Sequence, residues 1–410
     1  EYLYLLIWNQ PAWIFNSFSL LFSVAAVLFF YKALRKMGIN FAFETSLTFA
    51  FTPVFFISGT YTIDYAWSLA FVLGSFYFLT ERKLFLAGIF IGMAIGCRIT
   101  SAVFLLPWAI LLWNSLDQKQ WLKQVLQMSI PAALIGIAWY IPAYLQYGSS
   151  FFDYSDQFPY PPLTKVAYKA TIGVFGLLGI IALLFAKTKW LLRKDKSALH
   201  VSTLVSPKRL LIAILVLILL QIISYLRLPQ KSGYILAMVP FVLLLVTVYS
   251  TERTIRIVTV LFAVSSFIFS INISDNLRGS NHSAAAIKFH VSGQEIFLDP
   301  LSGPIFSEQS KRRNKMEYVN QVCAQLDTTT SEQVLICGWW YNEILCEYLP
   351  TRSDHRPASK VVLEFYADCD RMKTLSESRK IYYLPEQNLY NDQMFGQTCT
   401  DSMATLYPVK

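Results

Sequence analysis

One carboxylate and three cations stand at the ends of apolar runs in this chain. Asp64 heads the run in "SGTYTIDYAWSLAFVLGSFYF", Arg98 divides "GMAIGCRITSAVF", and Arg227 and Lys231 bracket the turn "RLPQKS". Ionisable side chains are costly at membrane depth, so those that occur there usually serve a site or a packing pair. Each has an ordinary explanation when taken singly. Asp64, following Thr60 and Thr62, suits a helix start where the dipole favours an acid, and a lone Arg or Lys at a helix end snorkels to headgroups. Taken together, they describe a pocket for a phosphate-bearing lipid. Arg and Lys clamp phosphate, while the carboxylate orients an incoming nucleophile or holds a divalent metal such as Mg or Mn.

The elements that must position these groups are membrane helices. The chain has 410 residues, of which 55% are hydrophobic, 16% aromatic and only 15% charged, against about one quarter charged in soluble domains. Its net charge of +9 in a soluble chain would suggest nucleic acid. Here the Lys and Arg residues fall in short loops between apolar runs, which topology explains without a nucleic-acid partner.

Charge-poor runs at 13–31, 43–60, 64–80, 84–97, 99–113, 125–145, 166–186, 210–226, 233–250 and 257–272 predict ten membrane helices. Alternate connections carry Lys32, Arg35 and Lys36; Arg82 and Lys83; Lys119 and Lys123; a basic stretch from Lys187 to Arg209; then Arg253 and Arg256. The positive-inside rule makes these cytoplasmic and puts Asp64, Arg98, the 146–165 loop, the 227–232 turn and everything after about Asn272 outside. Parity then requires the stretch between Lys83 and Lys119 to cross twice, as a hairpin with Arg98 at its outer tip. Each arm of about 15 residues spans about 22 Å at 1.5 Å per residue, short of a hydrocarbon core of about 30 Å. Arg98 is therefore expected below the outer surface. Before this, "EYLYLLIWNQPAW" reads as an outer segment leading into the first run, and a further upstream segment is expected before Glu1.

The composition changes at about residue 275, so the chain divides into a membrane domain over 1–274 and an extracytoplasmic domain over 275–410. The second part has turn clusters "RGSNHS" and "DPLSGP", predicted helices at 312–326, 339–349 and 368–377, and strands at 333–337 and 380–384. Alternating strand and helix predict a small α/β domain. It holds five of the six cysteines, enough for up to two disulfides in an oxidising compartment. None has the spacing of a zinc site, and neither a phosphate-cradling glycine loop nor a Ser-His-Asp order stands out.

The order of features resembles the GT-C superfamily of membrane glycosyltransferases, in the branch of protein mannosyltransferases and lipid A aminoarabinose transferases. The stretches that carry the likeness are "FTPVFFISGTYTIDYAWSLAFVLGSFYF", "LAGIFIGMAIGCRITSAVFLLPWAILL", "WYIPAYLQYGSSFF", "RLPQKSGYILAMVPFVLLL" and "VLICGWWYNEIL". The first is similar to the family's helix pair with an acid at the outer turn, the second to its short hairpin with a base between the arms, and the fourth to its late basic-Tyr-Pro helix start. The resemblance implies an integral protein of a bacterial inner or plasma membrane. It further implies transfer of a sugar, with inversion, from a polyprenyl-phosphate donor to a lipid, glycan or protein acceptor at the outer face. Asp64 then matches the family's second acidic position and is the metal candidate. Arg98, Arg227 and Lys231 match basic positions near the lipid phosphate, with Tyr65 and Tyr234 beside the donor. The family's first outer loop, which carries its principal acid, would precede Glu1.

Two other classes fit parts of the same pattern. A transporter or flippase for a lipid-linked sugar would need the same basic pocket, but such proteins tend to show paired repeats and midplane charges, and no repeat is evident. A noncatalytic scaffold of GT-C shape is the third reading. In the 151–162 loop, "FFDYSDQFPYPP" offers Asp153 and Asp156 among aromatic residues, as a mobile acceptor loop or as an interfacial belt. Trp339, Trp340 and Glu343 suit a corner packed on the membrane domain or, as the lesser reading, contact with a glycan, and Asn272 and Asn281 open the sequons "NIS" and "NHS".

Overall fold

Four hydrogen bonds reveal how the first half of the bundle is threaded. The Ser68 hydroxyl bonds to the Ser101 hydroxyl (2.8 Å) and donates to the Ala94 carbonyl (3.3 Å), so 68, 94 and 101 share one level. Ser75 donates to the Ala87 carbonyl (2.8 Å) and accepts from Trp108 Nε1 (3.1 Å), so 75, 87 and 108 share another. The chain therefore turns back on itself between 94 and 101, with Arg98 at the bend. In this computed structural model the described residues are 12–61, 63–113, 117–148, 160–193, 206–273, 283–291, 294–327, 332–341, 344–345, 361–364, 367, 369–384 and 405–407.

Helix α1 (Ala12–Lys36) packs along α4 (Asp64–Thr80), and between them lie two short helices, α2 (Ala42–Ala50) and α3 (Pro53–Gly59). The run expected at 43–60 is thus broken. Pro53 lacks an amide hydrogen to continue α2 but suits the first turn of α3. Arms α5 (Leu84–Cys97) and a 3-10 helix (Ile99–Phe104) leading into α6 (Leu105–Leu112) form the hairpin. The long α7 (Gln118–Tyr147) then lies against α5.

The α5–α7 contact is made by glycines at every fourth position. A Cβ on Gly88 would sit 2.2 Å from the Met128 carbonyl oxygen, one on Gly92 3.0 Å from that of Ala132, and one on Gly96 2.2 Å from the Trp139 ring. Small residues let backbones approach where no hydrophobic drive exists between lipid-embedded helices.

Beyond α7, helix α8 (Leu163–Ala170) is separated from α9 (Ile172–Leu191) by a break at Thr171 (φ −120°, ψ −84°), so the run expected at 166–186 begins in one helix and ends in another. Gly176 (φ 71°, ψ 169°) kinks α9, where a Cβ would meet Ser265 Oγ at 2.3 Å. Helix α10 (Pro207–Arg227), a 3-10 helix (Ser232–Met238), α11 (Val239–Tyr249) and α12 (Glu252–Phe267) complete the bundle. Hydroxyl pairs stitch α2 to the last two, Thr45 with Thr247 and Thr48 with Thr259, both at 2.8 Å.

Among the described residues, five helices are long and apolar enough to cross a membrane: Asn16–Lys36, Gln118–Gln146, Ile172–Leu191, Pro207–Arg227 and Ser232–Tyr249. Counting the bent pair Pro53–Gly59 and Asp64–Thr80 as one span makes six. The ten unbroken spans expected from hydropathy are not what the backbone shows. Hydropathy averages over breaks, and several runs resolve into helices of 7 to 17 residues. The basic connections nevertheless gather at one end. Glu81 holds Lys36 (2.9 Å) and Lys83 (3.8 Å), and Arg209 donates to the Trp113 carbonyl at the far end of the hairpin from Arg98.

After α12 the chain forms a three-stranded antiparallel sheet from β1 (Ser270–Ile273), β2 (Ile287–Val291) and β3 (Gln294–Asp299), ordered β1-β3-β2. The sequence reading ended its tenth apolar run at 272, over β1, set turn clusters at 278–283 and 299–304, and expected no strand at β2 or β3. Asp299 anchors the sheet's corner, accepting from the Ser283 hydroxyl (2.8 Å) and the amides of Leu301 (3.0 Å) and Ser302 (3.1 Å). Burial works to raise its pKa, but these hydrogen bonds outweigh burial and hold the carboxyl below its ordinary value.

The remaining elements are α13 (Pro304–Asp327), β4 (Gln333–Ile336), β5 (Val361–Glu364), α14 (Cys369–Ser376), β6 (Lys380–Tyr383) and β7 (Thr405–Leu406). The strands form a parallel sheet ordered β5-β4-β6-β7, whose central β4 is buried throughout, as a strand covered on both faces must be. Val319, Val322 and Leu326 of α13 cover one face, and Met372 of α14 joins Ile336 and Ile381 on the other. Cys97, Cys323 and Cys337 are present as thiols; Cys346 and Cys399 lie outside the described residues. This unit meets the bundle through Arg312, which donates to the Ile57 carbonyl (3.2 Å) and lies over the Tyr61 ring (4.8 Å).

Candidate functional site

The hairpin bend delivers Arg98 to the head of α4. The Arg98 amide closes the last turn of α5 on the Ala94 carbonyl (2.9 Å), its carbonyl accepts from Ser101 (2.9 Å), and the residue between is extended (φ −150°, ψ 116°). Its side chain leaves the helix axis and reaches Asp64, with NH1 to Oδ2 at 3.1 Å. Ile63 occupies the cap position of α4, so Asp64 is the first helical residue, and its carboxylate is spent on Arg98. The pair is unequally exposed: 17% of the Arg98 side chain is accessible and 44% of that of Asp64. The cation is the packed partner and the acid the presented one.

Two tyrosines make the packing. The Arg98 guanidinium carbon lies 4.3 Å from the Tyr65 ring centre and 5.0 Å from that of Tyr234, and the two rings meet edge to face at 5.7 Å. A guanidinium at such distances is held by the ring faces as well as by its charge partner. Tyr234 reaches this position because Gly233 lies against the Tyr65 ring, where a Cβ would approach to 2.3 Å.

These residues line a cavity of about 350 Å³ with Cys97, Ile99, Thr100, Tyr140, Ser224, Tyr225 and Leu228. Tyr140 donates to the Ile95 carbonyl (2.6 Å) and Tyr225 to the Val166 carbonyl (3.0 Å), which fixes both rings as walls. The cavity thus joins the ends of α4, α5, α7 and α10 at the end of the bundle away from the basic connections.

Of the residues singled out by sequence, Asp64, Tyr65, Arg98 and Tyr234 come together here. Lys231 is exposed at the cap of the second 3-10 helix, outside the lining but within electrostatic reach of Asp64. Arg227 is exposed at the end of α10 and does not line the cavity; its helical neighbours Ser224 and Tyr225 do. Asp153, Asp156 and Glu343 lie outside the described residues. Asn272 is buried, bonded to Ser270 (3.1 Å) and Ser307 (3.0 Å), so its sequon is not presented to an enzyme.

The metal expectation finds no assembled donor set. Among the described residues no three His, Cys, Asp or Glu side chains converge, and the Asp64 oxygen is engaged by Arg98. Tyr140 and Tyr225 were missed by sequence reasoning. The one available signal was their place within about two turns of a helix end already marked as facing outward. No family model, curated protein or solved structure matches this chain.

Proposed function

We propose that this chain is a membrane glycosyltransferase of the GT-C kind, moving a sugar from a polyprenyl-phosphate donor to a lipid, glycan or protein acceptor at the outer face. The observation that carries the reading is the Asp64–Arg98 pair, set between two tyrosine rings in a cavity at the bundle end away from the basic loops. In this topology the ten apolar runs all cross, α5 and α6 as a short hairpin, and the strand-bearing tail lies outside.

The chemistry divides between the two charges. Asp64, the more accessible, orients the acceptor hydroxyl or amine, whose proton leaves to a general base as its heteroatom attacks the anomeric carbon. The bond from that carbon to the phosphate oxygen breaks, and polyprenyl phosphate leaves with the electron pair and an added negative charge. Arg98, with Lys231 nearby, stabilises that charge where water is partly excluded. The aromatic walls offer flat surfaces to a sugar ring, and Arg98 exchanges part of its contact with Asp64 for the donor phosphate.

Reconstituted protein supplied with polyprenyl-phosphate sugars and membrane acceptors tests this. Asp64→Asn keeps the shape and removes the charge, and Arg98→Gln removes the cation. Each loses a charged contact worth about 2 to 4 kcal/mol in such sites, so transfer falls roughly thirty-fold or more. Transfer at the wild-type rate by Asp64→Asn would return the pair to a structural role. Movement of the lipid across the bilayer with no transfer from any donor would favour the transporter instead.

A further inference from the structure

We propose that the β1-β3-β2 sheet rests one face on the lipid surface, with Ile287 and Phe289 entering the acyl boundary beside the end of α12. The inference requires that α12 crosses a membrane together with the apolar helices and is independent of what the cavity catalyses. Its basis is the register. Ile287 pairs with Leu298 and Phe289 with Ile296, while Leu298 also pairs with Ile271 on the other side. Directly opposed residues share a face, so these five side chains form one apolar surface. The alternate residues form the other face, where Lys288 and His290 both meet Glu295, the latter at 3.4 Å. The polar face satisfies its own charges, and the apolar face is open at β2, where Ile287 is 54% exposed and Phe289 45%, while Ile271, Ile296 and Leu298 are half-buried.

Two features identify lipid as the cover. Helix α12 has 16 residues, about 24 Å at 1.5 Å per residue, shorter than a hydrocarbon core of about 30 Å. Its first two turns carry Glu252, Arg253 and Arg256, which the charge-based topology puts in the opposite headgroup layer, so its end at Phe267 lies at or below the near one. The sheet begins three residues later, at Ser270. Exposed apolar residues also flank that corner. Val260, Val264 and Phe267 form an exposed stripe on α12, Phe306 lies 6.2 Å from the Phe267 ring, and Leu301, 69% exposed, follows Asp299 at the end of β3. In water, an apolar edge strand such as β2 would be a template for association; at the lipid boundary it is simply buried.

The test uses the full chain in vesicles of phosphatidylethanolamine and phosphatidylglycerol carrying two photoactivatable phospholipids, one with its diazirine near the acyl carbonyl and one with it midway along the acyl chain. Adducts are mapped by mass spectrometry. Leu219, exposed midway along α10, reports the membrane core, and Thr374 on α14 reports water. Adducts on Ile287 to Phe289 in the range seen at Leu219, with none at Thr374, are expected. Adducts at Leu219 and not on β2, or adducts at Thr374 as frequent as on β2, overturn the proposal and leave the membrane bundle standing. Adducts at neither Leu219 nor β2 overturn both. Disulfide formation between copies through Phe289→Cys, with no lipid adduct on β2, overturns it and assigns the face to self-association.

Discussion

Arg98 shows how one residue organises the site. It closes a helix, opens the next, pairs with Asp64 and lies between the rings of Tyr65 and Tyr234. Lysine could replace the charge but not the flat guanidinium that meets two rings and a carboxylate together. The arrangement depends in turn on a residue with no side chain. At Gly233 a methyl group would come within 2.3 Å of Tyr65, so Gly233→Ala must push that ring off the guanidinium. Overpacking of this kind costs about 1 to 3 kcal/mol, and a fall in the thermal midpoint of the detergent-solubilised protein measures it. An unchanged midpoint, with fluorescence of the cavity tyrosines also unaltered, would mean the contact is loose. Asp64 and Arg98 were legible in the sequence because charges within apolar runs are conspicuous. Tyr140 and Tyr225 were not, because 23 tyrosines are spread through the chain and most membrane proteins place such residues at both interfaces.

At the scale of elements, hydropathy located the apolar segments but not their interruptions. Pro53, Thr171 and Gly176 break or bend helices inside runs whose average apolar character is uniform. The short sheet of β1, β2 and β3 was not foreseen: β1 fell at the end of the tenth apolar run, and the short strands β2 and β3 carry Lys288, His290 and Glu295. The glycines at 88, 92 and 96 were visible in the sequence as a four-residue repeat, yet their partner α7 could not be read from it. That seam predicts a sharp asymmetry. Gly92→Leu would drive a side chain into the Ala132 backbone, where even a Cβ stands at 3.0 Å, and should cost more than about 3 kcal/mol because backbone cannot yield as a flexible side chain can. Phe85→Leu, on the same helix but exposed, should change the thermal midpoint little. Equal midpoints for the two variants would show that α5 and α7 do not pack through the glycines.

For the whole molecule, the loop charges carried more information than the count of runs. They placed Lys36, Lys83 and Arg209 at one end and Asp64 and Arg98 at the other, and the hydrogen bonds of Ser68 and Ser75 show the same hairpin by an unrelated route. Strands β4 and β6 of the tail coincide with the strands expected at 333–337 and 380–384; their parallel pairing and the position of β5 depended on contacts across a long stretch of chain and were not legible. This polarity makes sidedness measurable. Lys83 lies among the basic connections, whereas Thr374 is exposed on α14 of the tail. If the basic end is cytoplasmic, Thr374→Cys should react in intact cells with a maleimide that cannot cross membranes, above the background of the native cysteines. Lys83→Cys should react only after permeabilisation. The two substitutions touch neither the cavity nor the core, so both proteins should accumulate normally. The reverse pattern would invert the molecule and put the cavity on the cytoplasmic side, where an acceptor and donor would have to be sought among different lipids. Labelling of both positions in intact cells would instead mean that the chain between them crosses an even number of times, which the charge-based topology does not allow.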